Sequence, residues 1–223
     1  MRSPIVSRVV ALPGVEIPGH VYSGLGNEQH PMRVMTRRAA GLDFGDWDAT
    51  AISDVTDLFD ALAPEWHTRI SSQSTEVVAD ALNRGLSELG GGRGLAVEAG
   101  AGIGTYSQLL SLRFRTVLSL DLSFEMIAKS SAESSCRIVG DASRVPVRDD
   151  TTDALVLINA FVFPNEAKRL LKVGGTIVWI NSSGSQTPIH LSTEDLVKSL
   201  PFPVSGVEST AGAGSWCVLV RDA

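Results

Sequence analysis

The spacing of apolar residues along the chain changes character twice. Over residues 1–50 it shows no period; this stretch is rich in Gly and Pro and is expected to form an irregular arm that wraps the rest. From Asp54 the spacing turns helical. Val55, Leu58, Phe59 and Leu62 share one face until Pro64 interrupts and Glu65-Trp66-His67 follow. A second helix is expected from Ser74 to Leu89, with Val78, Leu82, Leu86 and Leu89 on one face and Gly90-Gly91-Gly92 as its stop. Beyond it, short apolar runs alternate with helical stretches. Leu95–Glu98, Thr116–Asp121, Asp153–Asn159 and Gly175–Asn181 read as strands, Arg137–Gly140 as a short edge strand, and Val204–Ser209 and Trp216–Val220 as two more in the tail. Helices are expected over Thr105–Leu112, Asn165–Leu171 and residues 192–200. Another should begin at Ser123, a capping residue, with Phe124, Ile127 and Ala128 turned inward and Glu125 suiting the helix dipole. Such alternation implies an α/β fold with a parallel sheet covered by helices on both faces.

Composition narrows the partners. A chain of 223 residues suits one sizeable domain. Its formal charge of −6 argues against a broad nucleic-acid or membrane-surface footprint. Arg33, Arg37 and Arg38 form a local basic cluster, open to two readings: a solvated arm or a contact with an anionic substrate. The two cysteines, Cys136 and Cys217, lie in apolar runs with no CxxC, so no metal site is expected, and free thiols fit a reducing compartment. Pro4 and Arg8 stand where a signal peptide needs an apolar core, and no run approaches a membrane span of about 20 apolar residues. A cytoplasmic protein is expected, with neither nucleic acid nor membrane as partner.

Residues Leu95–Gly104 carry the strongest chemical signal. The apolar run ends in Glu98, and Gly100, Gly102 and Gly104 follow at alternate positions. Glycine permits positive φ and close approach of a ligand to the backbone. Asp121 and Asp141 likewise stand where expected strands end. In an open parallel sheet, ligands sit beyond the carboxyl ends of the strands, so the three carboxylates can face one ligand. Asp121 is placed to accept two ribose hydroxyls, and Asp141 to accept from an exocyclic amine beside the N–H of Ala142.

These residues resemble the motifs of class I S-adenosylmethionine-dependent methyltransferases, and the resemblance implies a Rossmann-like three-layer αβα sandwich around a mostly parallel seven-stranded sheet with an antiparallel C-terminal strand. Val97–Gly104 is similar to the family's first motif, Leu120–Met126 to the second, Gly140-Asp141-Ala142 with Val145-Pro146 to the third, Asp153–Val156 leading to Asn159-Ala160-Phe161 to the fourth, and Leu170–Gly175 to the turn before the fifth strand. The match covers about residues 93–181. A weaker one, over residues 54–69, resembles the helix ahead of that core in quinone and natural-product methyltransferases. The resemblance implies an arm over residues 1–50 and an S-adenosylmethionine-binding domain over 51–223. Gly100, Ala101 and Gly102 would bind the methionine part of the cofactor, with Glu98 toward its ammonium. Asp121 would take the ribose, Leu122 would pack on the adenine with Met126 nearby, Asp141 and Ala142 would read the adenine edge, and Asn159 and Ala160 would line the sulfonium region. The link from Asn159 to Lys172 is short for the family, which gives the arm more of the substrate-covering role.

The implied activity is methyl transfer to an O, N or C nucleophile of a small molecule. Binding of the cofactor without turnover is the alternative from another class. A nicotinamide-dependent oxidoreductase fits less well, because the third glycine of its Gly-x-Gly-x-x-Gly fingerprint falls on Thr105. Three residues are candidates for catalysis: His67, beside Trp66 in the segment expected to close over the pocket; His190, after the fifth strand of the resemblance; and Tyr106, just behind the glycine turn. His20 and His30 read as structural or surface groups.

Overall fold

A computed structural model describes residues 7–20, 26–90, 93–130 and 136–223. The start of the N-terminal segment, and Gly91 and Gly92 of the expected helix stop, lie outside the described residues. In chain order the elements are β1 (Arg8–Ala11), α1 (Pro31–Ala39), α2 (Ala49–Leu62), a 3₁₀ turn (Ala63–Arg69), α3 (Ser72–Asp80), a π turn (Ala81–Gly85) and α4 (Leu86–Leu89). Then follow β2 (Leu95–Ala99), α5 (Ser107–Ser111), β3 (Thr116–Asp121), α6 (Phe124–Ala128), β4 (Cys136–Val139), β5 (Thr152–Ile158), α7 (Pro164–Leu170), β6 (Leu171–Asn181), a 3₁₀ turn (Gly184–Gln186), α8 (Thr193–Ser199), β7 (Val204–Ala211) and β8 (Gly214–Arg221).

The sheet has eight strands in the order β1-β7-β8-β6-β5-β2-β3-β4, with β8 antiparallel to both its neighbours and the other pairings parallel. The expected αβα architecture holds. The strand count is corrected from seven to eight, because Arg8–Ala11 pairs with Ser205–Glu208 at the sheet edge. The arm therefore contains a strand and a helix where irregular chain was expected.

Burial divides by strand alternation. On one face Val97, Leu118, Leu155, Ile177 and Trp179 pack with α7 and α8 residues such as Leu170 and Leu196. On the other, Ala96, Val117, Val156, Val178 and Val218 pack with Val77, Val78 and Leu82. Polar side chains start the helices by satisfying free N–H groups. Asp48 accepts from Ala51 at 2.9 Å, Ser71 from Ser74 at 3.0 Å, and Ser123 from Met126 at 3.0 Å.

Three further elements differ from expectation. The helix expected over Ser74–Leu89 is two α segments joined by the π turn. In α6 the buried residue is Met126 and Ile127 is half-buried, whereas Phe124 is 61% exposed and Ala128 is also exposed, because the helix turns its Met126 side to the core. Strand β6 begins at Leu171 rather than Gly175, running through the glycine pair with a register shift opposite Thr152–Ala154.

Candidate functional site

The carboxyl ends of β2, β3, β4 and β5 open onto one cavity of about 470 Å³. Its floor is the glycine turn. Gly100 and Ala101 both donate to the Leu120 carbonyl, at 2.8 and 3.0 Å, which pins the turn to the end of β3. Gly100 has φ +73°, and a Cβ there would meet the Ala160 Cβ at 2.6 Å. Only glycine serves, because the left-handed conformation and the close approach of β5's exit both exclude a side chain. Gly102, at φ +56°, points its N–H at Asp121 Oδ2, 2.7 Å away.

All eleven residues expected on the cofactor side line this cavity: Glu98, Gly100, Ala101, Gly102, Asp121, Leu122, Met126, Asp141, Ala142, Asn159 and Ala160. Glu98 is only 2% exposed and accepts from Ser107 Oγ at 2.6 Å and Ser119 Oγ at 2.7 Å. Burial pushes its pKa up to about 7, against the two hydroxyl bonds and with a smaller contribution from Asp121. Burial also raises the pKa of Asp121, opposed by N–H groups of Ser123, at 2.9 Å, and Gly102. Asp141 accepts from the Ser143 N–H at 2.7 Å and from the Trp47 indole at 3.0 and 3.1 Å. Asn159 holds a left-handed backbone, φ 51°, that few non-glycine residues adopt. Its amide exchanges two 2.8 Å bonds with the backbone N–H and hydroxyl of Ser182, which fixes the bend where the chain leaves β5.

The three candidate catalytic residues separate. Tyr106 lines the cavity, half-buried, with its pKa raised to about 12 by burial. His67 is exposed on the 3₁₀ turn and is not among the lining residues. His190 also lies outside the cavity, and burial, then the Arg33 charge, lowers its pKa to about 4. Both histidines were placed by position in the chain alone, and the turns that carry them direct them elsewhere. The basic cluster is absorbed into the fold. Arg33 is buried against the carbonyls of Ser185, Thr187 and Pro188, and Arg37 pairs with Asp43 and Asp195, each at 3.0 Å.

Sequence reasoning missed His30, Trp47 and Arg69 as cavity residues. His30 caps α1 by accepting from the Met32 N–H through Nδ1 at 3.1 Å. Arg69, exposed, lies 5.9 Å from the Trp66 ring and is the one Lys or Arg lining the cavity among the described residues. A cation ending the 54–69 segment was a usable signal for Arg69. His30 and Trp47 carried none, since the path of the arm brings them in.

A glycine turn and three carboxylates at successive strand ends face one cavity at the carboxyl rim of the sheet, where open parallel sheets place their ligands. Residues 97–179 match the family model described as a methyltransferase domain. Its fold is shared with DhpI, solved with SAH (17% identity, 77% of this chain and 97% of that one, TM-score 0.61). It is also shared with a Haloferax volcanii methyltransferase solved with the Trm112 activator (17%, 74% and 98%, TM-score 0.56). Against phosphoethanolamine N-methyltransferase 1 of Haemonchus contortus the identity is 15%, over 79% of this chain and 50% of that one, with a TM-score of 0.52. At these identities the likeness is one of fold. No curated protein matches in sequence.

Proposed function

We propose that the protein is a cytoplasmic methyltransferase that uses S-adenosylmethionine to methylate an O, N or C nucleophile of a small molecule. The observation that carries this is the convergence of Glu98, Asp121 and Asp141 with the glycine turn on one cavity. The donor set fits the cofactor: carboxylates for an ammonium, a ribose diol and an amine, and a cradle at Gly100 that a side chain would fill. In this reading Glu98 faces the ammonium and Arg69 supplies the cation that a methionyl carboxylate requires. Gly100, Ala101 and Gly102 follow the amino-acid part. Asp121 takes the ribose, Leu122 and Met126 flank the adenine, Asp141 and Ala142 read its edge, and Asn159 and Ala160 border the sulfonium.

Bound S-adenosylmethionine supplies a methyl group already activated by its sulfonium. The chain's own work is alignment and exclusion of water. Phe59, Trp66, Met32, Phe161 and Ile189 give apolar walls suited to an organic acceptor. Tyr106 keeps its proton at neutral pH and serves as a hydrogen-bond donor. Nδ1 of His30 accepts from the Met32 N–H, which leaves Nε2 as the ring's donor. The domain spans residues 51–223, with residues 1–50 as the arm that closes it. The free thiols of Cys136 and Cys217 support the compartment, and no helix among the described residues is long and apolar enough to cross a membrane.

Calorimetric titration with S-adenosylhomocysteine tests the reading. The wild type should bind, and Asp121→Ala should bind at least about tenfold more weakly, as expected for hydrogen bonds to a charged acceptor. Absence of binding by the folded wild type would overturn it.

A further inference from the structure

Trp47 belongs to the arm, in the segment between α1 and α2, yet it lines the cavity. Its indole N–H donates to both oxygens of Asp141, at 3.1 and 3.0 Å. Its ring lies 5.5 Å from Phe161 and 5.0 Å from Phe163, within an apolar group that includes Leu122. A flat bicyclic ring, packed on apolar walls and presenting an N–H to this carboxylate, offers the contacts that the proposed function gives to adenine.

We propose that Trp47 is a stand-in for adenine: its indole occupies the Asp141 subsite in the closed arrangement, and the segment 41–48 must swing out for the cofactor to enter. This rests on the methyltransferase reading. Oδ1 of Asp141 also accepts from Ser143, and the single indole N–H lies against both carboxylate oxygens, so an amine approaching from that side meets the indole ring. The segment is built to move. Gly41 and Gly45 both have positive φ, +69° and +116°, and a Cβ on Gly41 would meet nothing within 4 Å. Phe44 is fully exposed and anchors nothing. The Arg37–Asp43 pair is part-exposed, a type worth little. Arg38 Nε, packed against Gly45, is buried without a hydrogen-bond partner, which raises the energy of the closed arrangement. Between half-buried Leu42 and the Asp48 cap of α2, Trp47 is therefore the main fastening.

Trp47→Phe keeps a ring against Phe161 and Phe163 and removes the donor. If closure taxes binding by the fraction of molecules that are open, this variant should bind S-adenosylhomocysteine about five- to tenfold more tightly than wild type. Its observed association rate should rise with ligand concentration where the wild-type rate levels off at the opening step. In the wild type, backbone hydrogen exchange over residues 41–48 should speed up when S-adenosylhomocysteine is added. Unchanged or weaker binding by Trp47→Phe, or slower exchange of that segment on binding, would make Trp47 a fixed wall and sink the gate while leaving the methyltransferase reading intact. A wild type that binds no S-adenosylhomocysteine sinks both.

Discussion

Glu98 is a carboxyl with two serine hydroxyls for company and no cation among the causes of its shift, and its pKa rises from 4.5 to about 7. The folded state thus holds a proton that the unfolded chain has already lost between those values. Unfolding then releases a proton, so stability falls as pH rises through this window, by up to about 3 kcal/mol. Glu98→Gln, neutral throughout, should lose that slope: urea denaturation at pH 5 and pH 7.5 should show a smaller difference for the variant than for wild type. A docked ammonium would reverse the balance by favouring the carboxylate. Binding of S-adenosylhomocysteine at pH 6 should therefore expel protons from wild type and not from Glu98→Gln. Calorimetry in buffers of different ionisation enthalpy reads this directly, and heats that do not depend on buffer would remove Glu98 as the ammonium's partner.

At the scale of elements, close packing leaves no room for a side chain where the π turn crosses β8. A Cβ on Gly85 would collide with Val218 Cγ2 and lie 3.0 Å from the Trp216 ring. Gly85→Ala should cost about 1–3 kcal/mol in urea denaturation by overpacking, with affinity for S-adenosylhomocysteine unchanged because the contact is remote from the cavity lining. An unaltered midpoint would mean that the helix and sheet slide apart freely. This turn also marks what the sequence could reveal. Central strands such as β5 were legible because burial on both faces leaves an unbroken apolar run, Ala154–Ile158. The carboxylates were legible because strand ends in a parallel sheet converge on one rim. The π turn leaves the apolar spacing of a helix intact, so nothing local announces it. β1 has four residues, largely exposed, and pairs with a strand nearly 200 positions away. Its existence depends on a free sheet edge that only the finished fold provides. The same holds for His30 and Trp47, whose roles are set by where the arm passes and not by their neighbours in sequence.

At the scale of the whole molecule, two of the described fastenings of the arm do different work. At the sheet edge β1 pairs with β7, and Val15 bridges to Ala211. Over the cavity, the Arg33 guanidinium donates to the carbonyls of Ser185 at 2.7 Å, Thr187 at 2.8 Å and Pro188 at 3.4 Å. The first clamp joins strands distant from the cavity. The second joins α1, which contributes Met32 to the wall, to the stretch after β6, which contributes Thr187, Pro188 and Ile189. A buried cation that binds only carbonyls holds two backbone segments in register, and its loss leaves those oxygens without a partner. Arg33→Met, which keeps the apolar stem, should lower stability by about 2–4 kcal/mol in urea denaturation. It should also speed hydrogen exchange over residues 182–189, with little change at the β1–β7 edge. The carboxylates of β2 and β3 lie outside this clamp, so affinity for S-adenosylhomocysteine should fall far less than in Asp121→Ala. Equal loosening of both clamps would instead make the arm a single cooperative strap, with no independent wall over the acceptor.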